Sequence, residues 1–118
     1  MGEQIAADHL LEAGYEILDR NWRVREGELD LVAADDRAIV FCEVKTRVAG
    51  GRSGPALALD AVGPAKRRRL RRLATAWLRD RRAAGGAPDR ERLRFDAIGI
   101  TISPGGRVLS FEHVTDAF

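Results

Sequence analysis

Apolar residues recur at helical spacing in two stretches of the chain and at alternate positions in several others. From about Glu3 to Leu11, Ala6 and Leu10, continued by Ala13, share one helix face, and Gly14 supplies a stop. Tyr15 to Leu18 opens a strand that runs on through Trp22, Arg23 and Val24, with a break expected at Asn21 and an end at Gly27. Gly27 to Ala33 and Ile39 to Arg47 are rich in apolar and β-branched residues, and the polar Asp35-Asp36-Arg37 between them reads as a hairpin turn. After Pro64 comes the clearest helix: Leu70, Leu73, Ala74, Trp77 and Leu78 form one apolar stripe. Gly85-Gly86-Ala87-Pro88 breaks the chain, Leu93 to Ile102 alternates as a strand, Pro104-Gly105-Gly106 turns, and Val108 to Phe111 returns. The order α-β-β-β-α-β-β predicts one α/β domain over residues 1–118, a mixed five-stranded sheet flanked by helices.

The hairpin sets the register of its own charged residues. A two-residue turn at Asp36-Arg37, or a four-residue loop around it, puts Asp30 opposite Glu43 and Glu28 opposite Lys45, all on one face. Two carboxylates directly opposite repel and destabilise a sheet unless something positive lies between them. Lys45, a shared proton and a divalent metal all qualify. Oxygen ligands at this spacing suit Mg²⁺ or Mn²⁺, which keep several waters and take one or two protein carboxylates. The plainer alternative is a half-solvated polar face with Glu28 and Lys45 as a cross-strand ion pair. Glu3 also has two readings, a helix-start carboxylate favoured by the dipole or an extra acid of the same site.

Composition narrows the class. The 118 residues are 45% apolar and 32% charged, as in an ordinary folded domain. The lone Cys42 shares a face with Val40 and Val44, so it reads as a small core residue, and it excludes an internal disulfide. No apolar run reaches membrane-spanning length and no signal-peptide pattern opens the chain, so a cytoplasmic protein without a membrane partner is expected. The net charge of +2 hides a strong segregation, since Lys66 to Arg82 holds nine basic residues and one acid, Asp80. Arg68, Arg71, Arg72, Arg79 and Arg82 flank the apolar stripe, and their density points to a phosphate-binding surface. The glycine-rich stretch from Ala49 to Pro55 lacks the ending of a phosphate-cradling loop and reads as a loop able to fold over a substrate. His9 is expected at a surface or boundary, and Asp96 and His113 as structural residues.

Asp30, then Glu43-Val44-Lys45 across a β-hairpin, resembles the PD-(D/E)XK signature of restriction-endonuclease-like nucleases. Over nearly its full length the chain resembles the small bacterial YraN-like family, itself similar to archaeal Holliday-junction resolvases. The resemblance is carried by Gly2-Glu3, Gly14-Tyr15, Arg20-Asn21-Trp22-Arg23, Gly27 to Val32, Phe41 to Arg47, Lys66, Arg69-Leu70 and Arg94-Phe95-Asp96. Leu29 stands where the signature's name has proline, and the chain begins almost at Glu3, where relatives tend to carry a few more residues.

The resemblance implies a restriction-endonuclease-like core and a metal-dependent endonuclease acting on DNA, branched or otherwise structured. Asp30, Glu43 and the Val44 carbonyl would hold Mg²⁺ or Mn²⁺. Lys45 would orient or deprotonate the attacking water, Glu3 would join the catalytic set, and Glu28 and Thr46 would support it. Arg47, Arg52, Lys66, Arg68, Arg69 and Arg72 would contact nucleic-acid phosphates. A resolvase-like reaction needs two active sites, which hints at a homodimer. Two other classes stay open: a nucleic-acid-binding module with little catalysis, and a protein-interaction domain whose basic helix docks an acidic partner.

Overall fold

The computed structural model of the chain describes residues 2–50, 63–86 and 88–118. Seven elements follow in the expected order: α1 (Gly2–Glu12), β1 (Glu16–Val24), β2 (Gly27–Ala34), β3 (Ala38–Val48), α2 (Pro64–Ala83), β4 (Arg92–Ile102) and β5 (Val108–Val114). The strands form one sheet in the order β1-β2-β3-β4-β5. Among the described strands, only β3 and β4 run parallel, as expected where a helical crossover joins two strands.

β3 is the spine. It pairs with β2 on one edge and β4 on the other, and Ala38 to Cys42 are buried without interruption. A strand covered on both faces has no solvent side to alternate with. On one face Val40 and Cys42 pack with Leu31, Ile98 and Ile100 beneath Ala6, Ala7 and Leu10 of α1. On the other, Ile39 and Phe41 pack with Val32 and Phe95 beneath Leu70, Leu73, Ala74, Trp77 and Leu78 of α2. Those five α2 residues are the stripe that periodicity predicts. Trp77 stands edge-on to Phe41, ring centroids 5.8 Å apart, and its Nε1 donates to Asp19 at 2.9 Å.

The two-residue turn is present. Asp35 Oδ1 accepts from the backbone N–H groups of Arg37 and Ala38, both at 2.8 Å, while Asp35 N donates to Ala38 O. This local bonding is why aspartate favours turns, and it fixes Leu31 against Cys42 and Ala34 against Ile39.

Two strand limits differ from expectation. β1 does not break at Asn21: the residue takes φ +48, a left-handed conformation that asparagine tolerates. The irregularity lies earlier, in a bulge between Ile17 and Asp19, and pairing then runs on to Val24. Gly27 opens β2 rather than closing β1. Its φ of +150° suits glycine, and a Cβ there would meet Leu73 Cδ1 at 3.4 Å.

Trp77→Phe should lose the bond to Asp19 and about 1 kcal/mol in urea unfolding, whereas Trp77→Ala should lose about 3–5 kcal/mol. A loss below about 1 kcal/mol for the alanine variant would contradict this account of the α2 core.

Candidate functional site

The β2–β3 ladder ends at Leu31 and Cys42, whereas β2 stays paired with β1 as far as Gly27. β2 therefore bends away with β1 and leaves a fork. The next residues on the two arms are Asp30 and Glu43, as the register predicts. Val44 N–H, which has lost a β2 backbone partner there, donates instead to Asp30 Oδ2 at 2.8 Å. The N–H and C=O of one strand residue point to the same edge, so the Val44 carbonyl also faces the fork.

The first turns of α2 roof the fork and enclose a cleft of about 280 Å³, lined by Gly27, Glu28, Asp30, Glu43, Lys45, Lys66, Arg69, Leu70 and Leu73. Burial pushes the Asp30 carboxyl up, to about 6 from an ordinary 3.8. The Val44 N–H works against that rise, while the negative charges of Glu43, Glu28 and Glu3 add to it. Glu3 thus acts electrostatically on the site from the start of α1. Glu43 Oε1 meets Lys66 Nζ at 2.7 Å.

Several expected roles change. Lys66 was expected on the nucleic-acid surface, but it reaches into the acidic fork. Glu28 does not hold Lys45: it pairs with Arg23 at 3.0 Å, its cross-strand neighbour on β1. Thr46 lies against the start of α1, where a Cβ on Gly2 would fall 1.9 Å from Thr46 Oγ1; this is a packing role on the face opposite Lys45. Arg47 is half-buried near the end of β3. Arg52 and most of the glycine-rich stretch lie outside the described residues.

From Lys66 the cleft gives way to a basic track. Arg69 lines the fork, and Arg69, Arg72 and Arg79 border an adjoining groove. Lys66 to Arg79 spans about 20 Å of helix axis. Among the described residues, no carboxylate pairs with Arg68, Arg69, Arg72 or Arg79. Arg71, which the sequence places on the same surface, is instead used in packing. Its guanidinium stacks 4.8 Å from the Phe95 ring centre and donates to Phe118 O. Arg81 is held likewise by the Leu18 carbonyl, Asp19 and the Trp77 ring.

Residues 2–100 match the family described as "Uncharacterised protein family UPF0102". The chain belongs to the UPF0102 family. It is 49% identical to a UPF0102 protein of Rhodococcus jostii over 99% of this chain and 92% of the relative. Identity is 49% to one of Streptomyces griseus, over 95% of this chain and 87% of the relative. To one of Mycobacterium tuberculosis it is 45%, over 97% of this chain and 86% of the relative. Among the described residues of this UPF0102 protein, no helix is long and apolar enough to cross a membrane.

A second polar cluster lies on the α1 face, and its extent is not legible from residue types or spacing. Asp96 is fully buried. It takes Arg94 Nη2 and His113 Nε2, each at 2.8 Å, and the Asp116 backbone N–H at 3.1 Å. Burial alone would raise its carboxyl, but these partners prevail and hold it below the usual range. Arg94 also bonds the Tyr15 hydroxyl, which ties β4 to the end of α1. Asp96 and His113 are therefore structural, as expected. His9 is a boundary residue tilted against Phe111, centroids 4.3 Å apart. Cys42 is buried, and burial pushes its thiol up, so it is a core residue rather than a nucleophile.

The donors at the fork fit a divalent cation of the Mg²⁺ class. They are hard oxygens, and the bond from Val44 N–H uses Oδ2 of Asp30 rather than Oδ1. Among the described residues, no group of three or more His, Cys, Asp or Glu side chains forms a ready metal cage; Mg²⁺ uses only one or two carboxylates.

The raised Asp30 carboxyl has a signed consequence for stability. Its ionised form is disfavoured in the fold, so the protein binds more protons folded than unfolded between about pH 4 and pH 6, and stability falls as pH rises through that window. In chelator, Asp30→Asn should be more stable than wild type at neutral pH by on the order of 1–3 kcal/mol, with the gain vanishing below about pH 4. Urea unfolding at several pH values reads this, and a difference independent of pH would contradict it.

Proposed function

We propose that this UPF0102 protein is a metal-dependent endonuclease that hydrolyses phosphodiester bonds in DNA, on a restriction-endonuclease-like core. The observation that carries the reading is the fork itself. Asp30 and Glu43 stand at its mouth on two diverging strands, Lys45 lies on the same face two residues on, and α2 leads away with arginines that no carboxylate pairs among the described residues. A sheet gains nothing from a half-buried, elevated carboxyl beside a second acid, whereas a cation-assisted hydrolase needs both.

Asp30, Glu43 and the Val44 carbonyl would hold the metal. When bound, Mg²⁺ or Mn²⁺ supplies Lewis-acid stabilisation of charge on the scissile phosphate. Lys45 is exposed at the cleft, where its ammonium orients the attacking water and offsets charge building on the phosphate. Glu3 contributes negative potential that favours the cation. Arg69, Arg72 and Arg79 track the nucleic-acid backbone, which gives affinity without reading sequence. Branched DNA is the substrate class suggested by the likeness to junction resolvases, and a homodimer would supply two such sites.

One observation favours a second reading. Lys66 already neutralises Glu43 at 2.7 Å, as it would in a nucleic-acid-binding module without catalysis.

Cleavage of labelled four-way junction, flap, duplex and single-stranded DNA with Mg²⁺ or Mn²⁺ separates the two. Asp30→Ala, Glu43→Ala and Lys45→Ala should each lower metal-dependent cutting by about a hundredfold or more, with DNA binding largely kept. Binding without cutting in wild type, unchanged in the variants, would establish the module instead.

A further inference from the structure

Lys66 sits where a metal ligand is expected to be open. Its ammonium touches Glu43, and the two side chains are only 20% and 18% exposed. A pair so sheltered is weakly screened, and removing one partner would leave the other charge uncompensated. The same ammonium lines the cleft that Lys45 and Arg69 open to solvent. Among the described residues, Asp30, across the fork, has no cationic partner, and it accepts a hydrogen bond from the Val44 N–H alone. Positive charge at the fork is therefore present but one-sided: it satisfies Glu43 and leaves Asp30 unserved.

Lysine suits an exchangeable place in such a site. It is a point charge on a flexible four-carbon stem, with no fork geometry to lose when it changes partner. Lys66 lies in the first turn of α2, after Gly63 and Pro64, and Arg69, one turn on, borders both the fork and the adjoining groove. Lys66, one turn before Arg69, is the next cation along α2 and lines the same cleft as Glu43.

We propose that Lys66 is a built-in placeholder cation: it competes with the divalent metal for Glu43, and a nucleic-acid phosphate entering along α2 draws it away, so that metal and nucleic acid load the fork cooperatively. The proposal rests on the nuclease reading for the identity of its two ligands. It adds that the two are coupled through one side chain. Without nucleic acid, Lys66 shields Glu43 and keeps metal affinity low; with it, the ammonium exchanges one anionic partner for another. By linkage, the metal must strengthen nucleic-acid binding by the same factor.

The test is Mn²⁺ binding to the full chain without nucleic acid, read by electron paramagnetic resonance. Wild type is compared with Lys66→Met, Lys66→Gln and Arg69→Met, the last removing a charge from the same cleft without touching Glu43. Both Lys66 variants should bind Mn²⁺ about tenfold more tightly than wild type, and Arg69→Met about threefold or less. Lys66→Gln keeps a polar group at the position should Lys66→Met fold poorly. Stopped-flow anisotropy of labelled duplex DNA, read before turnover, should show Mn²⁺ strengthening DNA binding more in wild type than in Lys66→Gln. Equal Mn²⁺ affinity in wild type and the Lys66 variants would overturn the placeholder while leaving the nuclease reading standing. An equal gain for Arg69→Met would also overturn it, reducing the effect to general electrostatics. No Mn²⁺ binding in any of these proteins would overturn both.

Discussion

A backbone N–H that loses its strand partner must find another acceptor, and at Val44 that acceptor is the side chain of Asp30. The shape of the cleft depends on this substitution. Were β2 and β3 paired to their ends, Asp30 and Glu43 would be two like charges on a closed ladder, with no room between them for anything to bind. Because β2 leaves with β1 beyond Leu31, the same two carboxylates flank an opening. The bond from Val44 then fixes one of them in place, aimed across the gap.

The rest of the fold serves that opening. β3 is buried along Ala38 to Cys42 and clamped between two sheet partners, and Glu43, Val44 and Lys45 continue directly from that buried stretch. α2 is anchored by Trp77 and four aliphatic neighbours, and its basic flank starts at the fork. Gly27 admits Leu73 close to the β2 backbone, which seats α2 on the splayed arm. On the far face, Asp96 joins Arg94, His113 and the chain after β5. That network stiffens the strand next to β3 without touching the cleft.

The parts legible in the sequence were those that local rules decide. Asp35 and its neighbours specify a turn, the turn specifies the register, and the register makes Asp30 and Glu43 the next residues in line, although the ladder itself stops one pair short of them. The α2 stripe follows from a 3.6-residue period. Tertiary context decided what was misread. Glu28 lies beyond the end of the β2–β3 ladder, where β2 is paired with β1 alone, so its partner is Arg23 and not Lys45. Lys66 and Arg71 look like their neighbours along the helix. Only the seating of α2 sends one into the fork and lays the other on Phe95. Asn21 and Gly27 read as interruptions because their types allow left-handed backbone, yet pairing passes through the first and starts at the second.

The central claim is that the strand fork is a cation site built from Asp30 and Glu43. Anomalous diffraction from crystals grown with Mn²⁺ tests it most directly. The account predicts a peak between the two carboxylates, within coordinating distance of Asp30 and the Val44 carbonyl, with Lys66 displaced from Glu43. No peak at the fork under saturating Mn²⁺, with Lys66 still seated on Glu43, would contradict it.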